Sequence, residues 1–142
     1  MGKFKVSGNT IVRIDNNAGT LVTLSSYIDT IGALGKEVQS LDVTSFADSA
    51  ERIIAGIEAS QEVSISGAWD DTATTGPDAV LAVLPGTIGT IEFYPKGTAS
   101  GSRKISGEFL CLYYKPRGEV KGRVEYEASF KLDGTISIGT AT

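Results

Sequence analysis

The chain has 142 residues, 41% of them apolar and 21% charged, which is typical of one globular domain. It contains no histidine, which excludes Ser-His and Cys-His catalytic pairs and imidazole metal sites, and its one cysteine, Cys111, excludes an internal disulfide. The formal net charge of −4 argues against tight binding to nucleic acid phosphates. No apolar run approaches the roughly 18 residues of a membrane span. We therefore expect no metal, no cofactor and no membrane partner.

The first third of the chain predicts short β-strands separated by turns. Seventeen glycines punctuate the chain, and the segments 15–19 and 32–35 have turn-prone compositions. Between these turns, β-branched and other apolar residues predict strands at 10–14, 21–24, 27–31 and 36–45.

Residues 46–60 lose the strand alternation, and two interpretations fit them. Asp48 followed by Glu51 has the spacing of a capping box, which indicates a helical turn. The alternative is a long loop whose apolar tip carries Ile53, Ile54 and Ile57. Long loops in compact domains are usually functional, and an exposed apolar loop is typically an interaction site.

The rest of the chain predicts one helix among further strands. Pro77 suits a first helical position and Pro85-Gly86 ends the segment, so residues 77–84 are an expected helix. Strands are predicted at 62–70, 88–94, 104–115, 122–132 and 135–139, with a Gly- and Ser-rich loop at 96–102.

The segment 124–132 alternates apolar and polar residues strictly. Because strand side chains alternate between faces, it predicts a half-buried antiparallel strand with Glu125, Glu127 and Ser129 on the solvated face. Seven or eight such strands must close or pair their layers to hide their edges. The sequence therefore predicts a mainly β fold in a single domain, residues 1–142. This fold is an antiparallel β-sandwich or flattened barrel with one short flanking helix and a long inter-strand loop.

Candidates for chemistry are few and weak. Glycoside hydrolysis would use a pair of carboxylates from Asp70, Asp71, Glu125 and Glu127. A calcium site would use Asp70, Asp71 and Asp78. Nucleic acid binding would use the basic residues near Tyr94, Tyr113 and Tyr114. Seventeen acidic residues produce such carboxylate pairs by chance, so solvated surface charge is the favoured interpretation. We expect no enzyme activity.

The charges are unevenly distributed along the chain. Residues 36–71 hold eight acidic and two basic groups, whereas residues 95–123 hold seven basic and two acidic groups. An acidic and a basic segment on one small domain can complement each other between copies. The alternative is that the fold brings the two segments together within one subunit.

The stretch 41–48 (Leu-Asp-Val-Thr-Ser-Phe-Ala-Asp), followed by Glu51-Arg52 and Gly56, resembles tail tube proteins of long-tailed bacteriophages. In that family a strand ends in a Val-Thr-Ser/Thr-Phe-type sequence and enters a long loop. The next strand ends in an aromatic residue and Asp, here Trp69-Asp70, and residues 126–130 and 134–139 resemble the family's last strands. The likeness is spread over residues 36–139.

This resemblance implies packed β-sheets with one flanking helix, and homohexameric rings that stack head to tail into a hollow tube. Phage DNA would pass through the lumen transiently and without specificity, and the acidic pI of about 4.8 suits such sliding. The implied partners are other copies of the chain and the tail terminator, baseplate and tape-measure proteins. The implied location is the virion tail, with the host cytoplasm before assembly. Because the last predicted strand ends near Thr142, we expect no additional immunoglobulin-like domain.

The resemblance also assigns site residues. The family's loop commonly packs against neighbouring subunits or rings, and the matching positions here are Phe46, Asp48, Glu51, Arg52, Ile53 and Ile54. Glu125, Glu127 and Ser129 would line the lumen or, equally, face the tube exterior. Two alternatives remain open. One is the tube of a contractile injection or secretion apparatus, and the other is a monomeric β-sandwich binding module with Trp69, Tyr113 and Tyr114 as an aromatic platform.

Overall fold

The computed structural model describes residues 10–118 and 122–141, so part of the predicted basic segment, including Lys121, lies outside the described residues. The strands are β1 Ile11–Asp15, β2 Leu21–Thr23, β3 Thr30–Ile31, β4 Val38–Asp42, β5 Ile53–Glu58, β6 Glu62–Ala68, β7 Ile88–Tyr94, β8 Arg103–Arg117, β9 Glu125–Leu132 and β10 Ser137–Thr140. One α-helix, α1, spans Pro77–Leu81, and a 3-10 turn spans Ser25–Tyr27. The predicted mainly β, antiparallel fold with one short helix is confirmed.

Eight of the strands form one curled antiparallel sheet. Its order is β2-β1-β7-β8-β9-β6-β3, and β10 also pairs with β8. β2 and β3 lie at opposite edges of this sheet although only residues 24–29 separate them in sequence. Such a connection spans about 20 Å, so the sheet must curl until its edges approach each other. The hydroxyl of Tyr126 on β9 donates a hydrogen bond of 2.8 Å to the Tyr27 carbonyl in this connection, which helps to hold the curled shape.

The core lies on the concave face of this sheet. The alternating residues Tyr126, Ala128, Phe130 and Leu132 are all buried there, as the sequence pattern predicts. Other strands, α1 and the connections between elements contribute the remaining core side chains: Val12, Ile14, Leu24, Val63, Ile65, Val80, Leu81, Leu84, Ile91, Phe109, Cys111 and Ile136.

The helix α1 begins where predicted and ends three residues early. Pro77 occupies the first turn, where its missing N–H costs nothing, and Val80 and Leu81 are buried against the sheet. The Leu84 N–H then bonds to the Leu81 carbonyl at 3.1 Å, which continues the chain as a tighter turn. No helix within the described ranges is long and apolar enough to cross a membrane.

β4 and β5 form a separate two-stranded sheet outside the curled one. The interpretation of residues 46–60 as a helical turn is wrong, because residues 53–58 are a strand and only 43–52 form the long inter-strand loop. Asp48 does not cap a helix. Its carboxylate instead accepts the Ser45 N–H at 2.8 Å and thereby closes a turn in the loop.

Candidate functional site

The arm formed by β4, β5 and the loop between them, residues 38–58, is hereafter called the hairpin arm. Within it Leu41 lies opposite Ile54 and Asp42 lies opposite Ile53, while a bulge shifts the register near Val38. The Val43 N–H bonds to the Arg52 carbonyl at 2.9 Å and extends the pairing towards the tip. The arm is therefore a regular hairpin over most of its length and not a disordered connection.

The hairpin arm exposes apolar side chains along its whole length. Ile53 is 66% exposed and Ile54 is 52% exposed, and Phe46 at the tip is fully exposed. The arm also exposes four further large apolar side chains: Val38, Leu41, Val43 and Ile57. A two-stranded hairpin is only marginally stable in water, and a contiguous exposed apolar surface is typical of an interaction site. The arm therefore has the composition of a surface that another molecule covers.

Polar contacts give the tip of the arm a defined shape. The Thr44 hydroxyl accepts the Arg52 N–H at 2.8 Å, and the Arg52 guanidinium lies 3.8 Å from the Asp48 carboxylate. Asp42 accepts a hydrogen bond from the Thr44 N–H at 2.8 Å, and hydrogen bonding to Thr44 lowers the pKa of this carboxyl. Phe46 is thus presented from a folded turn.

The base of the arm is fixed to the body of the chain. Glu58 accepts the Ile136 N–H at 3.3 Å and lies 3.8 Å from the Lys36 ammonium. The Ser60 hydroxyl donates to the Leu132 carbonyl at 2.9 Å, and the Gln61 amide donates to the Gly35 carbonyl. The arm therefore projects from an anchored base.

The structure brings the six predicted loop residues together in this one arm. Phe46, Glu51, Arg52, Ile53 and Ile54 are exposed, whereas Asp48 is half-buried in the turn. The sequence analysis missed Leu41 and Val43, which were assigned to an ordinary half-buried strand. The available signal was the set of large apolar residues on both sides of the loop, Leu41 and Val43 before it and Ile53, Ile54 and Ile57 after it.

The predicted solvated face of β9 is correct for two residues and wrong for the third. Glu125 and Glu127 are half-buried, and the Arg117 guanidinium lies 3.8 Å and 3.9 Å from their carboxylates. Ser129 is fully buried and donates a hydrogen bond of 2.6 Å to Glu62 on the neighbouring β6. Ser129 points to the same face as the two glutamates, but its short side chain is buried beneath that face and bonds to the longer side chain of Glu62.

The predicted aromatic platform is wrong, since Trp69, Tyr113 and Tyr114 are half-buried. Trp69 and Tyr114 pack against the core. Burial and a hydrogen bond to Asp78 raise the pKa of Tyr114 to about 12. The Tyr113 hydroxyl donates to Glu127 at 2.6 Å, and this bond raises the pKa of Tyr113.

The carboxylates considered for calcium or glycoside hydrolysis have other roles in the structure. Asp70 accepts hydrogen bonds from Thr72, which lower its pKa, and Asp78 binds the Tyr114 hydroxyl. Within the described ranges, no three His, Cys, Asp or Glu side chains come together as a metal site.

The convex face of the sheet carries a polar cluster that the sequence analysis did not identify. Glu92 is buried, its carboxylate lies 2.9 Å from the Lys104 ammonium, and it accepts the Tyr94 hydroxyl at 2.7 Å. Burial opposes ionisation of Glu92, but the hydrogen bonds from Lys104 and Tyr94 outweigh it and lower the pKa of this carboxyl. The Arg13 guanidinium lies over the Tyr94 ring at 5.3 Å. The cluster joins three neighbouring strands, β1, β7 and β8.

The fold is similar to those of chains in solved tail and injection particles. A chain from the tail of an empty GTA particle with C6 symmetry has a TM-score of 0.73 at 17% identity, covering 96% of this chain and 100% of that chain. A chain from the virion of a native gene transfer agent particle has a TM-score of 0.71 at 16% identity, with the same coverage of 96% and 100%. A chain from the sheath/tube terminator of an extracellular contractile injection system, PVC, in the extended state has a TM-score of 0.68 at 7% identity, covering 97% and 99%. No family model and no curated protein matches the sequence.

Proposed function

We propose that this chain is the subunit of a tail tube, in which hexameric rings stack head to tail into a hollow tube. The observation that carries the proposal is the end-to-end similarity of fold to a chain from a C6-symmetric tail, which covers 96% of this chain and all of the other. A match over both full lengths is expected when two chains occupy equivalent places in an assembly. The role is structural, without catalysis.

The hairpin arm supports self-assembly independently of the comparison. It projects exposed apolar side chains, including Phe46, Ile53 and Ile54, that the rest of the described residues leave uncovered. In the proposed tube these side chains, together with Arg52, pack against neighbouring subunits of the same or the next ring. The tip contacts of Asp48 with Ser45 and Arg52 keep the arm in the shape that its neighbour receives.

The lumen is proposed to carry DNA in transient, non-specific passage. Glu125 and Glu127 are candidates for its wall, because carboxylates repel a polyanion and Arg117 only partly neutralises them. Tail terminator, baseplate and tape-measure proteins would complete the structure. In this proposal the subunit folds in the host cytoplasm and ends in the virion tail.

A second candidate is the tube of a contractile injection apparatus. The similarity to chains of such particles, with a TM-score of 0.68 over 97% of this chain, favours it. It shares the hexameric ring but requires a surrounding sheath. Copurification of a sheath protein with the assembled tube from the native source would select this candidate.

The experiment that tests the proposal is negative-stain electron microscopy of the purified chain over a concentration series, with light scattering alongside. We expect rings or hollow tubes from the unchanged chain, and folded monomers from Ile53→Asp and from Arg52→Glu. Val83→Asp, which changes an exposed apolar residue on the body, is the matched control and should still assemble. Assembly of both arm variants would contradict the role of the arm. If the unchanged chain stays monomeric even when a preformed tail end is added as an initiator, that result would contradict the proposed function.

A further inference from the structure

The Arg13 guanidinium on the convex face is held in place by neutral groups. Its Nε donates to the Thr23 hydroxyl at 3.4 Å, and it lies over the Tyr94 ring at 5.3 Å. Arg13 faces Glu92 across the β1–β7 pairing, but both oxygens of that carboxylate have other partners. Oε1 accepts the Tyr94 hydroxyl, and Oε2 lies 2.9 Å from the Lys104 ammonium. Among the described residues no carboxylate forms an ion pair with Arg13, so its two terminal nitrogens remain available as donors.

A cavity of about 370 Å³ lies beside this guanidinium. Its described lining consists of Arg13, Tyr94, Thr98, Lys104, Thr140 and Ala141. Thr98 and Thr140 are exposed, so the cavity is reached from solvent, and its volume suits a small ligand. These six residues supply two cations and three hydroxyl groups and no carboxylate, because the buried Glu92 is not among them.

The charges around the cavity favour a ligand with a single negative charge. Arg13 and Lys104 contribute two positive charges, and Glu92 offsets one of them. A guanidinium presents parallel N–H donors that match the two oxygens of a carboxylate, and threonine hydroxyls can donate to the same oxygens. A phosphate group carries about −1.5 to −2 charges at pH 7, which would leave excess negative charge beside Glu92.

We propose that this cavity, hereafter the Arg13 pocket, is a binding site for a carboxylate. The Arg13 guanidinium is its bidentate donor, and Lys104 supplies the second positive charge. Two sources offer this chemistry: a small carboxylate in solution, and an acidic side chain of another copy of the chain. The site goes beyond the proposed tube, because one chain supplies all of these groups.

The test is thermal unfolding of the free chain, at protein concentrations too low for assembly, with sodium acetate replacing sodium chloride at constant ionic strength. A ligand that binds only the folded chain raises the unfolding midpoint with the concentration dependence of one site. We expect acetate to raise the midpoint in this way, and sodium phosphate to raise it less.

Three variants locate the effect. Arg13→Gln should weaken the apparent affinity for acetate at least about tenfold, as expected when charge-assisted hydrogen bonds are lost. Arg13→Lys keeps the charge without the planar fork and should weaken it less. Arg103→Gln removes an exposed charge next to Lys104 but outside the described lining, so it is the matched control and should leave the affinity nearly unchanged.

Two results would overturn the pocket. Equal midpoints in acetate and chloride would show that no carboxylate binds, and an equal gain in Arg13→Gln would reduce the effect to a general action of the salt. A larger gain in phosphate than in acetate would overturn the assignment of the ligand as a carboxylate.

Light scattering during assembly, in acetate and in chloride, distinguishes the two sources. If another copy supplies the carboxylate, acetate competes with it and slows assembly of the unchanged chain but not of Arg13→Gln. If the ligand is a small carboxylate, acetate leaves the rate of assembly of both chains unchanged. Failure of the unchanged chain to assemble would contradict the proposed function, whereas acetate binding by the free chain would still support the pocket.

Discussion

At the scale of single residues, Gly67 is a position where the fold leaves no room for a side chain. A Cβ at Gly67 would collide with the Tyr27 carbonyl oxygen and would lie 2.9 Å from the Ile28 Cα, and both are backbone atoms that cannot swing away. Gly67→Ala should destabilise the chain by about 1–3 kcal/mol or more in urea unfolding, through overpacking. Gly139→Ala is the matched control in a strand, because a Cβ there meets no atom within 4 Å. Equal stability of the two variants would contradict the close approach of β6 to the connection.

The buried Glu92 makes stability depend on pH. Its folded-state pKa lies below the ordinary value of 4.5, so the ionised carboxylate stabilises the fold above about pH 4.5. This contribution is lost as the pH falls through the folded-state pKa. Glu92→Gln should therefore be less stable than the unchanged chain at neutral pH, and the difference should narrow in acid. Urea unfolding of both chains at a series of acid pH values measures this difference in stability.

The control for this pH dependence is the cation that faces Glu92. The hydrogen bond to Glu92 raises the pKa of Lys104, so the two groups stabilise each other's charged forms. The change in the free energy of unfolding caused by Glu92→Gln should differ between the unchanged chain and the Lys104→Met variant, as expected for residues in contact. Additive effects of the two substitutions would show that the pair does not couple.

At the scale of elements, single substitutions should change the free energy of unfolding less in the hairpin arm than in the curled sheet. Ile54 is half exposed in β5, whereas Ile65 is buried in β6, the next strand in sequence. In the monomeric chain, Ile54→Ala should change the free energy of unfolding by less than about 0.5 kcal/mol. Ile65→Ala should cost about 2–5 kcal/mol by leaving a cavity. Urea denaturation of the two variants, at protein concentrations below those that allow assembly, measures both free energies of unfolding. Similar losses of stability would mean that the arm packs on the body of its own chain in solution.

The sequence predicted the elements whose apolar residues are regularly spaced. β7 matches the predicted 88–94, and four of the five apolar positions of 124–132 are buried. It missed β5 because Ile53, Ile54 and Ile57 put apolar side chains on both sides of a strand, which removes the alternation that identifies one. The segment that failed the pattern is the arm itself, in which apolar side chains are exposed on both sides of β5.

The burial of Ser129 is a second feature that the sequence pattern could not predict. Alternation correctly placed its side chain on the polar face of β9, but exposure on that face depends on the neighbouring strands. Glu62 is 67 residues away in sequence and covers Ser129 only because β6 pairs with β9. Strand order was not deducible from the local pattern, so neither was the burial of this serine.

At the scale of the whole molecule, the separation of charge along the chain should make assembly sensitive to salt. In the proposed tube, attraction between the acidic arm of one copy and the basic segment 95–123 of another would speed their encounter. The screening length falls from about 10 Å at 0.1 M salt to about 3 Å at 1 M, so light scattering should show slower assembly at the higher concentration. Apolar contacts alone would assemble as fast or faster in high salt, because salt does not screen them.

Two matched substitutions locate this charge effect on the molecule. Glu51→Gln removes an exposed charge at the arm tip, and Asp133→Asn removes an exposed charge from the turn before β10. Both lower the net negative charge equally, so a difference between them reports position and not total charge. Glu51→Gln should slow assembly at low salt and flatten its salt dependence, whereas Asp133→Asn should leave both nearly unchanged. If the two variants behave alike, the attraction comes from the overall charge and the arm does not steer the encounter between copies.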